Sequence, residues 1–216
     1  VSYDDIAPWY SYVEKFAGIN GRKEGLPQLP DGEFQKPMPW LPLEETIEAR
    51  LKKKAPDVTL TSARTAILTE QLGDRAACHY CGACERGCST GSYFSSQSST
   101  LPAAEATGNM TLMANMVVER LAYDPDTGKL SHVEVIDRDT RERKSFSARI
   151  FFLCASTVGS TQILLHSTSA EFPNGLANSS GVLGRYLMDH TLGTSGIGLF
   201  VDHMDSYYSG ERPTGL

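Results

Sequence analysis

The chain has 216 residues, of which 40% are hydrophobic and 21% charged, and its formal net charge is −6. That length and balance suit a soluble chain with apolar matter for one large domain or two modest ones. The acidic charge argues against a nucleic-acid binder, and no apolar run nears the ~20 residues of a membrane-spanning helix.

The first ten residues, VSYDDIAPWY, hold no Met, no basic stretch and no apolar leader. The chain therefore reads as a segment of a longer protein without a signal peptide, and its compartment stays open between cytoplasm and periplasm. Ser2 caps a helix in this reading, with Asp4 and Asp5 in its first turn, where the helix dipole favours acids. Ile6, Trp9, Tyr10, Val13, Phe16 and Ala17 recur at helical spacing, and Gly18 ends the run. A stretch holding five of the eleven prolines follows, GLPQLPDGEFQKPMPWLPL, too apolar for a disordered linker and read as an ordered loop packed on a core. LEETIEARLKKKA predicts a short amphipathic helix, and the β-branched DVTLTSARTAIL a strand.

After the cysteine-rich stretch, SSTLPAAEATG predicts a short helix with Pro102 in its first turn and Gly108 closing it. Four strands are expected next: MTLMAN, MVVERLAYD, LSHVEVIDRD and KSFSARIFFLC. DPDTGK is the hairpin loop between the second and third. IFFLC is continuously apolar, as a strand covered on both faces would be, and Cys154 at its end reads as a small buried hydrophobe. STVGSTQILLHST then predicts a helix entered straight from that strand. The turn at Ala155, Ser156 and Thr157 would leave backbone N–H groups free for an anion. No G-x-G-x-x-G follows any strand, and the glycines of GTSGIGLF precede no helix. His190 beside Asp189 reads as a structural residue.

Four of the five cysteines fall between positions 78 and 88, spaced Cys78-x₂-Cys81-x₂-Cys84-x₃-Cys88. This is the spacing of bacterial ferredoxins, with Ser89 where their Pro would stand. Gly82 and Gly87 free the backbone to wrap a cluster, which makes all four cysteines candidate ligands. The packing is too tight for an ordinary structural zinc site, while disulfides and free thiols remain alternatives.

The order of VSYDDIAPWYSYVEKFAGI, EGLPQLPDGEF, CHYCGACERGCSTGSYFSS, STLPAAEATGNMTLMANMVVERL, ARIFFLCASTVGSTQILLHS and NSSGVLGRYLMDH resembles the glucose–methanol–choline (GMC) family of FAD-dependent oxidoreductases. It is most similar to the bacterial branch with a cysteine-rich loop, and to the central part of such enzymes. The family's strand-to-helix segment reads here as Ser156 to Thr168, with Thr161 in place of its Pro and Thr168 in place of its Gly. Its Val-x-Arg strand, whose valine backbone meets the adenine of FAD, falls on Val118.

The resemblance implies an α/β (α+β) fold: part of the FAD-binding domain at 101–168, with substrate-side segments at 1–70 and 169–216 flanking it and the cysteine-rich loop at 71–100 between. It implies FAD as cofactor, assisted by Val118, Ala155, Ser156 and Thr157, and a substrate that is an alcohol or a sugar. Hydride would pass to flavin N5. The family's dinucleotide fingerprint and its catalytic His pair are missing from the chain, so the segment alone is expected to be inactive. A cluster on Cys78, Cys81, Cys84 and Cys88 would pass electrons to a cytochrome or quinone partner. The alternative is a non-catalytic iron–sulfur or disulfide-stapled module.

Overall fold

The computed structural model describes residues 1–190 and 198–205. The chain divides into two compact units, one built on Val1–Met110 and the other on Thr111–Gly196. The GTSGIGLF glycines up to Ile197 lie outside the described residues, as does much of the expected substrate-side segment at 169–216.

The first unit opens with α1, Tyr3–Ala17. The Asp5 carboxylate accepts from the Ser2 N–H at 2.7 Å and from its hydroxyl at 3.1 Å, which holds Asp5 below the usual carboxylate range. Gly18 closes the helix at φ 74°, a conformation glycine adopts without strain. The apolar spacing expected of α1 is present, yet of its side chains only Ala17 is buried, and Trp9 is 68% exposed.

The proline-rich loop packs as expected: Met38 is 1% and Trp40 5% exposed. The Trp40 indole donates to the Ser62 hydroxyl at 2.9 Å and carries the Arg22 guanidinium on its face. Helix α2 spans Pro42–Lys54, with acids in its first turn and three lysines in its last, each matched to the dipole. Ser96–Thr100 is a π-helical turn that runs into α3, Leu101–Glu105, and Gly108 ends the segment at φ 69°.

DVTLTSARTAIL is not a strand. It makes isolated bridges with different neighbours, Thr65 with Asn20 and Ile67 with Tyr93, so no continuous ladder forms along it. The buried Asn20 amide locks the first of these by donating to Thr65 O, Thr65 Oγ1 and Ile67 O at 2.7–3.1 Å.

The second unit carries an antiparallel sheet ordered β1-β2-β3: Met116–Asp124, Lys129–Asp137 and Arg143–Phe146. The β1–β2 hairpin turns at Gly128, φ 68°, where the Asp124 carboxylate accepts from the Asp126 N–H and the Thr127 hydroxyl. Arg120–Glu134 and Arg143–Glu119 ion pairs tie the strands across their faces. Helix α4, Ser156–His166, packs on β1; Ile163 of the helix and Leu121 and Ala122 of the strand are buried.

Two strand expectations fail in this unit. MTLMAN is irregular because Asn115, at φ 62°, turns the chain just before β1 and accepts the Arg138 N–H. Of KSFSARIFFLC only the first three residues are strand, as the end of Arg143–Phe146. Residues 150–154 pair with no strand among the described residues, and while Phe151 and Leu153 are half-buried, Phe152 is 84% exposed. Cys154, expected to be buried, is exposed at the end of this unpaired run.

Candidate functional site

The cysteine loop grows from a hydrogen-bonded base. Cys78 N–H donates to Leu68 O at 2.8 Å, Ala76 N–H to Thr90 O at 3.0 Å and Leu68 N–H to Ser92 O at 3.1 Å. The wholly buried Ser92 adds its hydroxyl to Leu68 O. Segments 66–68, 76–78 and 90–94 thus form a pinned platform from which 79–87 loops out. Gly82, Gly87 and Gly91 all take positive φ along it, as does Tyr80 at 59°.

Cys78, Cys81, Cys84 and Cys88 all line one small, largely closed pocket with Ile67, His79, Tyr80, Thr90, Ser92 and Tyr93. Cys78, Cys84 and Cys88 are half-buried and Cys81 is exposed; all are free thiols. The thiols sense one another. Burial pushes the Cys84 thiol up, and the neighbouring charges of Cys78, Cys88 and Cys81 push it further. Cys88 behaves oppositely: burial would raise it, but the Thr90 hydroxyl and the N–H groups of Tyr93, Thr90 and Ser92 stabilise its thiolate and hold it below the ordinary thiol range. Its sulfur lies 3.3 Å from Thr90 Oγ1.

The residues do not fit a ready-made cluster. The volume open to water in the pocket is about 10 Å³, and among the described residues no three Cys, His, Asp or Glu side chains gather closely enough to hold a metal ion. An iron–sulfur cube would require the loop to open.

The second set of expected residues lies in the other unit. Val118 is half-buried in β1 opposite Val135, immediately before a bulge that leaves Glu119 out of register. β1 is an edge strand: β2 covers one side, and on the other the Leu121 N–H is taken by Ser167 Oγ at 2.8 Å. Ala155, Ser156 and Thr157 are all exposed at the start of α4, and no side chain caps it. Ser156 is held at φ 61°, a conformation that costs a non-glycine residue about 1 kcal/mol. The arrangement can accept an anion at the helix start and a flat donor–acceptor edge along β1.

Sequence reasoning missed the residues beneath these sites. Thr90 and Ser92 line the cysteine pocket, yet in the sequence they are two hydroxyls beside a loop. Ser167 is a helix-end serine with no motif of its own, and only the helix-on-strand packing reveals its bond to Leu121.

The chain is 31% identical over 196 residues to 2-methyl-1,2-propanediol dehydrogenase of Mycolicibacterium austroafricanum, covering 89% of the chain and 34% of that protein. It is 28% identical over 185 residues to paromamine 6'-oxidase of Streptomyces fradiae, covering 85% and 32%. With the fructose dehydrogenase large subunit of Gluconobacter japonicus it shares 23% over 215 residues, covering 97% and 38%. The chain therefore spans about a third of the length of the curated relatives it matches. The family profile described as GMC oxidoreductase matches residues 1–192, and the chain belongs to that family of oxidoreductases.

Proposed function

We propose that this chain forms part of the FAD-binding half of an oxidoreductase acting on the CH–OH group of an alcohol or sugar. The observation that carries the reading is the exposed, uncapped start of α4, with Ser156 strained at positive φ, on the same unit as the edge strand holding Val118. The residues suit the cofactor. N–H groups at Ser156 and Thr157 offer donors to a phosphate, and the backbone of Val118 offers a donor and an acceptor to an adenine edge. The strain at Ser156 turns the chain sharply from the 150–154 run into the helix, which leaves these donors facing outward. The Val118/Arg120 irregularity sets the tilt of Val118 relative to the rest of β1.

When bound, FAD would accept a hydride from the substrate carbon at its N5. An alcohol or sugar substrate is supported by relatives named for 2-methyl-1,2-propanediol and for fructose. A separate electron-acceptor subunit, a cytochrome or a quinone-linked protein, is supported only by the relative named as a large subunit.

The test is the visible spectrum of the full-length protein, wild type against Ser156→Glu. A bulky acid at the helix start places a negative charge where the flavin's phosphates would sit. Paired flavin bands are expected in the wild type, with occupancy in S156E reduced by about tenfold or more. Lys129→Glu, on the β1–β2 hairpin, should keep full occupancy. Equal flavin content in S156E and wild type refutes the placement.

A further inference from the structure

Arg75 is the residue in the first unit that neither site reading uses. It is 8% exposed, and among the described residues no carboxylate contributes to its electrostatics; burial lowers its affinity for the proton and the nearby Cys88 thiolate opposes that. A buried cation without an acid partner is rare, because desolvation is not offset by an opposite charge. Its guanidinium is spent on backbone instead. Nε donates to Gly91 O at 2.9 Å, Nη1 to Ala17 O at 3.0 Å and Nη2 to Ser92 O at 3.3 Å, with Phe94 beneath its plane.

The positions of these bonds matter. Arg75 stands three residues before Cys78, and Gly91 three residues after Cys88, so the side chain spans the base of the loop from one cysteine arm to the other. The Ala76–Thr90 hydrogen bond lies one step further along the same two arms. The bond to Ala17 O anchors this base to the last residue of α1. Gly91 is shaped for the approach: a Cβ there would lie 3.3 Å from Arg75 Cγ, on a backbone already at φ 67°. Lysine, with one ammonium and no fork, could not reproduce bonds made from three separate guanidinium nitrogens.

We propose that Arg75 is the positioning residue of the cysteine pocket: its three-carbonyl clamp fixes the spacing of the arm that carries Cys78 against the arm that carries Cys88. The inference stands apart from the flavin reading, because it concerns only the first unit.

The experiment is site-resolved alkylation of the full-length protein by iodoacetamide under reducing conditions, read by mass spectrometry. Cys154, exposed in the other unit, is the internal reference. Arg64 supplies the control for simple destabilisation: it is bonded to Pro30 O and Leu29 O and stacked on Phe34, away from the cysteines. Losing three carbonyl bonds should let the arms part, so in Arg75→Ala the rates at Cys78 and Cys88 relative to Cys154 should rise about tenfold. Arg75→Lys should fall between the two. Arg64→Ala, at a comparable loss in Tm, should leave both ratios within about twofold of wild type. If Arg75→Ala does not fold, Arg75→Lys alone must show the rise. Unchanged ratios in the folded Arg75 variant, or the same rise in Arg64→Ala, overturn the proposal.

Discussion

Ser167 offers the sharpest test of how the second unit holds together. Its hydroxyl is 3% exposed, donates to Ile163 O at 2.7 Å and accepts the Leu121 N–H at 2.8 Å. In Ser167→Ala the Ile163 carbonyl stays satisfied, because the Ser167 backbone N–H also reaches it at 3.0 Å. The Leu121 N–H has no such reserve. It becomes a buried donor with no acceptor, which costs about 1–3 kcal/mol. Hydrogen exchange read by mass spectrometry on the full-length protein measures this directly. Exchange in the peptide spanning 116–124 should accelerate by roughly 5- to 150-fold, while peptides from residues 1–110 keep their protection. Ser167→Thr, which keeps the hydroxyl, should lie much nearer wild type. If the 116–124 amides exchange equally fast in Ser167→Ala and wild type, the bond does not join α4 to β1 and the account of that packing is wrong.

Two further outcomes follow from geometry elsewhere. Gly18→Ala meets both a left-handed backbone and the side chain of Leu68, which is fully buried and cannot step aside, so a loss of about 2–4 kcal/mol is expected in a denaturant titration. A variant as stable as wild type would show that Leu68 has room to move. The Asp137 carboxyl titrates at about 2, held there first by the Thr140 N–H, then by Lys144 and by the Asp139 N–H. Its folded pKa lies below its unfolded one, so its contribution is complete above the unfolded value near 3.8 and is lost as pH falls through about 2. Asp137→Asn should remove that part of the acid-side dependence, and an acid-unfolding curve identical to wild type would count against the turn geometry at 137–140.

The sequence carries its own signals where the physics is local. Ser2, Asp5 and Gly18 fix α1, the lysine- and acid-flanked α2 carries its own dipole signals, and Asp124 with Gly128 folds the hairpin from its own side chains. The failures are strands. A strand needs a partner along its length, and β-branched composition at 57–68 or apolar content at 150–154 says nothing of whether one is present. Thr65 and Ile67 found separate partners one residue long, and Ile150 and Phe152 found none among the described residues. The cysteine spacing located a real pocket, but spacing carries no information on its size. That depends on Thr90 and Ser92 on its lining, whose identities matter only once the three segments of the base lie side by side.

The two candidate sites are built in opposite ways, and the difference bears on what each can do. At the start of α4, Ala155, Ser156 and Thr157 are exposed and uncapped, and the strain at Ser156 is opposed by no hydrogen bond to its side chain. Such a terminus leaves unsatisfied donors that a phosphate would complete, so ligand and fold stabilise each other there. The cysteine loop is over-determined at its base. Buried Ser92, the Cys78–Leu68 bond and the Arg75 clamp fix where the Cys78 and Cys88 arms stand before anything binds. Cys81 and Cys84 stand on the tip, above a pocket with room for about one water, and Cys84 already resists ionisation, first through burial and then through its thiol neighbours. Any occupant larger than that must displace the tip and leave the arms in place. Occupancy should therefore change the environment of Cys81 and Cys84 more than that of Cys78 and Cys88.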